Sequence, residues 1–124
     1  MPSATYELFE QAMRAHKSIV CIYGDLVREI SPVILGHSDG EEKALTFQHG
    51  GQSRSHLPAK GEWRCLFLSK VSQAKLSDGP FVAGESHTQP QGCVQDVDLD
   101  VNEASPYRPR RRLPRAKKRS RRKR

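Results

Sequence analysis

The chain has 124 residues, 35% of them hydrophobic and 28% charged, with a formal net charge of +7. That length suits one small domain and excludes a multidomain enzyme. The charge is unevenly spread: residues 106–124 (PYRPRRRLPRAKKRSRRKR) hold nine Arg, three Lys and no acid, whereas in residues 1–105 nine basic groups face 14 acids, for a net of −5.

Ser3 or Thr5 can cap a helix over about 4–16, with Leu8, Phe9, Ala12 and Met13 on one face and Glu7 in the first turn. Next comes SIVCIY, a run rich in β-branched residues from Ser18 to Tyr23, ended by Gly24-Asp25 and followed by 26–35. The two runs read as a hairpin. Pro32 offers no N–H to a ladder, which predicts an edge or a bulge there. Ser38-Asp39-Gly40 is a turn signal, 43–49 reads as a third strand with Leu45, Phe47 and His49 on one side, and Gly50-Gly51 should stop it. A polar connection over 52–62 leads to Trp63-Arg64-Cys65-Leu66-Phe67-Leu68, the strongest strand candidate, and 71–76 adds a short last strand. One helix followed by four or five short strands predicts a mainly β fold, either a small β-barrel or a strongly bent sheet, with closure hiding the edges.

Beyond Val82 the chain loses apolar residues and period. This predicts a folded domain over 1–82, a flexible acidic linker over 83–105, and a disordered Arg/Lys-rich tail over 106–124, where twelve cations repel one another. No stretch approaches the roughly 20 apolar residues of a membrane-spanning helix, and the first residues lack a basic-then-apolar secretory pattern, so a cytoplasmic protein is expected. Cys21, Cys65 and Cys93 are odd in number and widely spaced, which argues against a disulfide framework. Reduced thiols are expected, with Cys21 and Cys65 as small core residues of apolar strands.

Three ordered pieces carry a family likeness. The first is IVCIYGDLVREISPVIL, an apolar strand ending in Tyr23, with Arg28 four residues before Pro32. The second is the SDG turn leading into KALTFQHGGQS, and the third is WRCLFLSKV, with Arg64, Leu66, Leu68, Lys70 and Val71 at the patterned places. In this order, over 19–71, they resemble the WYL domain family. The connection FQHGGQSRSHLPAKGEWR, with Gln48, Gly50-Gly51 and Ser53 before Trp63, is most similar to short, single-domain members. Lys43-Ala44-Leu45 stands where the family has Trp-Tyr-Leu, and Lys70 where Arg is usual. The resemblance implies an Sm-like or SH3-like β-barrel and a non-enzymatic regulator that senses a ligand, often nucleic acid, through a basic pocket.

Arg28, Arg54 and Arg64 sit in or beside predicted strands of an acidic body, where a guanidinium needs a carboxylate, a phosphate or solvent. They are read as neutralising a nucleotide-like or other anionic ligand in one pocket, with Tyr23 stacking or hydrogen bonding and Gln48 lining the opening. Surface pairing with Glu29, Glu41, Glu42 or Glu62 is the alternative. In the tail, Arg108, Arg110, Arg111, Arg112, Arg115, Lys117, Lys118, Arg119, Arg121, Arg122, Lys123 and Arg124 predict binding to DNA, RNA or another polyanion through counterion release, without sequence readout. The alternative is contact with the protein's own acids Asp96, Asp98, Asp100 and Glu103. Leu113 is the tail's only larger aliphatic residue, so no membrane anchoring is expected.

His16, His37, His49, His56 and His87 form no metal signature, Gly50-Gly51-Gln52-Ser53 lacks the rest of a phosphate-cradling loop, and Asp96, Asp98 and Asp100 lack the Gly and Glu of a calcium loop. No enzyme, metal or cofactor is expected. The sequence thus predicts a WYL-like ligand-sensing, nucleic-acid-binding module, regulatory in role, with a phosphate-binding arm. The alternative is a protein-interaction module whose tail directs localisation or contacts an acidic partner.

Overall fold

In the computed structural model, which describes residues 2–51, 62–82, 91–102, 104–111 and 113, the chain opens with helix α1 (Ala4–Ala15). Ser3 caps it, its hydroxyl accepting from the Tyr6 N–H at 3.0 Å, and Glu7 lies in the first turn near the positive end of the helix dipole. His16 ends the helix in the left-handed conformation, and the Lys17 N–H bonds the Ala12 carbonyl at 2.9 Å. Tyr6, Phe9, Ala12 and Met13 form its buried stripe.

The strands follow as β1 (Ser18–Tyr23), β2 (Leu26–Ser38), β3 (Glu41–Gly51), β4 (Glu62–Phe67), β5 (Val71–Ser77) and β6 (Asp96–Asp100), with a short 3-10 turn at Leu68–Lys70. Both hairpins close through two-residue turns with positive φ at each position: Gly24 (58°) and Asp25 (70°), then Asp39 (53°) and Gly40 (82°). This is the turn whose twist suits antiparallel strands. All pairings are antiparallel, in the order β4-β3-β2-β1-β5, with β6 added beside β2. The sheet is open: among the described residues β4 and β5 end it without pairing to each other. The mainly β fold with an N-terminal helix is therefore present, but the expected barrel closure is not.

β2 organises this arrangement. One edge pairs with β3 throughout, while the other is shared, by β1 up to Ile30 and by β6 from Ile34. Pro32 sits where the partners change, and the register shifts between Pro32 and Ile34. The expected bulge is there, but on a central strand rather than an edge. The shift turns Val33 and Ile34 towards one apolar cluster while Ile30 and Leu35 serve another. The larger cluster packs α1 against Ile19, Cys21, Ile30, Leu35, Ala44, Leu66 and Leu99. The second gathers Val33, Ile34, Leu45, Cys93, Val94 and Val97, with Trp63, Val101 and Tyr107 packed against it.

Residues of the expected linker and tail supply much of that second layer, which corrects the domain boundary drawn at 82. Asp96–Asp100 is a strand, not a spacer, and Val97, Asp98, Leu99 and Asp100 are all buried. The Ser38 hydroxyl donates to the Cys93 carbonyl at 2.9 Å and accepts from the Gln95 N–H at 3.0 Å, fixing the approach to β6. Gly36 admits that approach, since a Cβ there would lie 2.7 Å from Val94 Cγ1 and run into the Asp96 carbonyl.

The expectation of three reduced thiols is also corrected. Cys65 and Cys93 form a disulfide across a Cα–Cα distance of 5.6 Å, leaving only Cys21 as a free, buried thiol. Cys65 pairs with Leu45 in the β3–β4 register and is exposed, on the face that Cys93 covers. It is therefore not a core residue of the helix side. Linear spacing cannot show this, because the pairing depends on residues 91–95 folding back over β3 and β4.

Candidate functional site

The proposed ligand residues come from four strands. Tyr23 ends β1, Arg28 is near the start of β2, Gln48 lies in β3 and Arg64 in β4. The register sets Gln48 opposite both Ile30 and Glu62, two steps from the rungs that carry Arg28 and Arg64. Its amide oxygen accepts from Arg28 Nη1 at 2.8 Å and from Arg64 Nε at 3.0 Å, while its Nε2 donates to the Gly50 carbonyl at 3.0 Å. Gln48 is fully buried, so this three-bond arrangement satisfies an amide that would otherwise be costly to bury.

Tyr23 completes the group. The Arg28 guanidinium carbon lies 5.5 Å from the centre of its ring, and Arg28 Nε donates to the Tyr23 carbonyl at 3.4 Å. The Tyr23 hydroxyl accepts from the Phe67 N–H at 3.1 Å, tying the end of β1 to the end of β4. Arg64 also meets Glu62 at 3.4 Å. The structure thus brings Tyr23, Arg28, Gln48 and Arg64 together, whereas Arg54 lies outside the described residues. Because the shared acceptor is an amide, it orients both guanidiniums without neutralising them.

Cys21 stands opposite Arg28 in the hairpin. Burial pushes its thiol up to about 11, against the opposing pull of Arg28. A thiol held protonated is a poor nucleophile. Among the described residues no group of three His, Cys, Asp or Glu is placed to hold a metal ion, and no helix is long and apolar enough to cross a membrane.

Of the tail residues expected to hold phosphates, Arg108, Arg110 and Arg111 are described. Arg112, Arg115, Lys117, Lys118, Arg119, Arg121, Arg122, Lys123 and Arg124 lie outside the described residues. Arg110 and Arg111 are not free in solvent: their N–H groups donate to the carbonyls of Val97 (3.1 Å) and Asp98 (2.9 Å) on β6. That corrects the expectation of a tail disordered from residue 106.

A second polar cluster brings Arg110 to Asp96 and Asp98, as the alternative of contact with the protein's own acids expected, and adds Tyr6, His37 and Arg111 around Asp98. Tyr6 donates its hydroxyl proton to Asp98 and accepts from Arg111 Nη2 at 2.8 Å. His37 Nδ1 lies 3.2 Å from the same carboxylate, and its ring stacks on Tyr6. Burial, followed by the Asp98 charge, pushes the Tyr6 hydroxyl well above its ordinary value, so it remains a donor. A notch of about 490 Å³ opens beside these groups between α1 and β6. The signal that could have revealed it is the alternation Val97, Leu99, Val101 against Asp96, Asp98, Asp100, which fits a strand as well as a spacer. No family model, curated protein or solved structure matches the chain.

Proposed function

We propose that the protein is a non-enzymatic binding module of the WYL-like kind, regulatory in role. Its sheet recognises a nucleotide-like or other anionic ligand, and its basic arm holds DNA or RNA phosphates. The observation that carries this reading is the convergence of two guanidiniums from different strands on the single neutral oxygen of Gln48, beside the Tyr23 ring. Two planar cations oriented by one neutral acceptor suit an anion, and the adjacent aromatic suits a ring attached to it. The helix followed by a sheet ordered β4-β3-β2-β1-β5 supports a relationship to Sm-like or SH3-like folds.

The arm would supply affinity through counterion release and the sheet selectivity. Titration of the full chain with ATP and with a labelled oligonucleotide tests this, beside a variant carrying Arg28→Gln and Arg64→Gln. The double variant should lose ATP binding about tenfold or more while keeping salt-dependent oligonucleotide binding. ATP binding that survives the double substitution would overturn the pocket assignment. It would favour the reading as a protein-interaction module, which has one observation of its own: Arg110 and Arg111 already lie against carboxylates.

A cytoplasmic location belongs to the same proposal, and the Cys65–Cys93 bond bears on it. Cytosolic thiols are kept reduced, and disulfides persist in oxidising compartments. Alkylating the protein directly in lysed cells and weighing it decides the matter: two more labelled cysteines place it in a reducing compartment.

A further inference from the structure

After β6 the chain turns sharply on itself. The Asp100 carboxylate accepts from the Asn102 N–H at 2.9 Å, the Asn102 side-chain oxygen from the Ala104 N–H at 2.9 Å, and the Asn102 carbonyl from the Ser105 N–H at 3.1 Å. This reversal returns Arg110 and Arg111 to β6, where their N–H groups bond the Val97 and Asp98 carbonyls. The side chains then meet acids on two elements. Arg111 Nη1 contacts both Glu10 oxygens at 3.0 and 3.1 Å, and Nη2 reaches the Tyr6 hydroxyl. Arg110 lies 3.7 Å from Asp98 and 3.8 Å from Asp96. Leu113 packs at the edge of the larger apolar cluster.

We propose that the acidic face formed by Glu10 of α1 with Asp96 and Asp98 of β6 is an internal receptor for the Arg110-Arg111 segment. Polyphosphate must displace this segment to gain the whole arm. The proposal rests on the arm's role as the phosphate-binding part. Counterion release needs cations whose charge is not already neutralised. While docked, Arg110 and Arg111 satisfy carboxylates, and the surrounding acids repel a phosphate chain brought close to the body. The docked arm therefore offers fewer cations than the sequence displays, and its release adds two. Partial burial works against the Glu10 carboxylate, yet hydrogen bonds from Arg14 and Arg111 outweigh it and hold its pKa below the ordinary 4.5. The ion pair is therefore charged at neutral pH. The occupant is specific in kind, because the face offers carboxylates for two adjacent guanidiniums, two backbone acceptors and an apolar edge for the residue two further on.

Duplex DNA of random sequence is the probe, titrated against the full chain, Glu10→Gln and Glu7→Gln over a range of salt. Glu7 lies exposed on the same helix and removes the same charge without touching the arm. Glu10→Gln should bind about 3–10-fold more tightly than Glu7→Gln at low salt, with a log–log salt slope steeper by about 2. Equal gains for both variants would reduce the effect to general charge and overturn the receptor. If none of the three binds DNA with a salt dependence, the phosphate-binding role of the arm fails, and the competition fails with it. Hydrogen exchange of the wild-type chain gives an independent reading. DNA should speed exchange at the Arg110 and Arg111 amides, and bound DNA that leaves them protected contradicts displacement.

Discussion

Gln48 is the residue on which the binding reading turns, because an acid in its place would change the electrostatics while keeping the shape. As an amide it accepts from Arg28 and Arg64 without adding a charge of its own. Gln48→Glu would accept the same two hydrogen bonds and place a negative charge between the two cations. Opposite charges a few ångströms apart near a surface interact by a few kcal/mol, so this variant should bind ATP at least about tenfold more weakly. Isothermal titration together with a thermal melt checks it. A variant that keeps its melting temperature but loses binding fits the proposed role, and one that binds ATP as well as the wild type refutes it. The comparison separates charge from scaffold, which deleting Gln48 would not. Removing a buried acceptor of two guanidiniums would itself destabilise the chain by about 1–3 kcal/mol.

Among the elements, β6 depends on a single small residue of its partner. At Gly36 a methyl group would meet the Asp96 carbonyl and Val94; the Gln91 side chain accepts from the Val94 N–H, and the Ser38 hydroxyl holds the neighbouring Cys93 and Gln95. Gly36→Ala should therefore lower stability by about 1–3 kcal/mol and loosen β6 before the rest of the sheet. By contrast Gly92→Ala, with nothing near its new carbon, should change little. Denaturant unfolding gives the first quantity, and hydrogen exchange at 96–100 gives the second. Equal effects of the two substitutions would show that β6 is not closely packed on β2.

The same strand marks where the sequence stopped being readable. α1 and β1 to β5 were legible because their apolar residues recur at helix or strand period and because Gly24-Asp25 and Asp39-Gly40 announce their turns. β6 alternates just as regularly, but its polar positions are aspartates, which composition assigns to a linker. The burial of Asp98 becomes tolerable only once Tyr6, His37 and Arg110 reach it from other parts of the chain. Tyr23, Arg28, Gln48 and Arg64 were legible as candidates through the family likeness and the placing of arginines in strands. Their meeting at one amide oxygen depended on a register that no local pattern encodes.

For the molecule as a whole, the sheet carries a layer on each face. α1 covers one, and Cys93 and Val94 with Tyr107 cover the other. The second layer is reached through a segment outside the described residues and is tied back by the Cys65–Cys93 bond, whose partners are 28 residues apart. Closing a loop of that length restricts the unfolded chain by about 3.5 kcal/mol in the chain-entropy account. This is a large part of the roughly 5–15 kcal/mol that holds a small domain together. Reduction should therefore leave both apolar clusters formed while lowering the unfolding free energy by about 2–4 kcal/mol. Cys65→Ser with Cys93→Ser should lower it by a similar amount. Urea unfolding with and without dithiothreitol measures the difference. The double variant is the control, since reductant should not destabilise it further. Cys21 should not confuse the result, because burial pushes its thiol up to about 11 and keeps it inert in the fold. If oxidised and reduced chains unfold at the same urea concentration, the disulfide does not support the second layer. That layer must then stand on Val33, Ile34, Leu45, Val94 and Val97 alone.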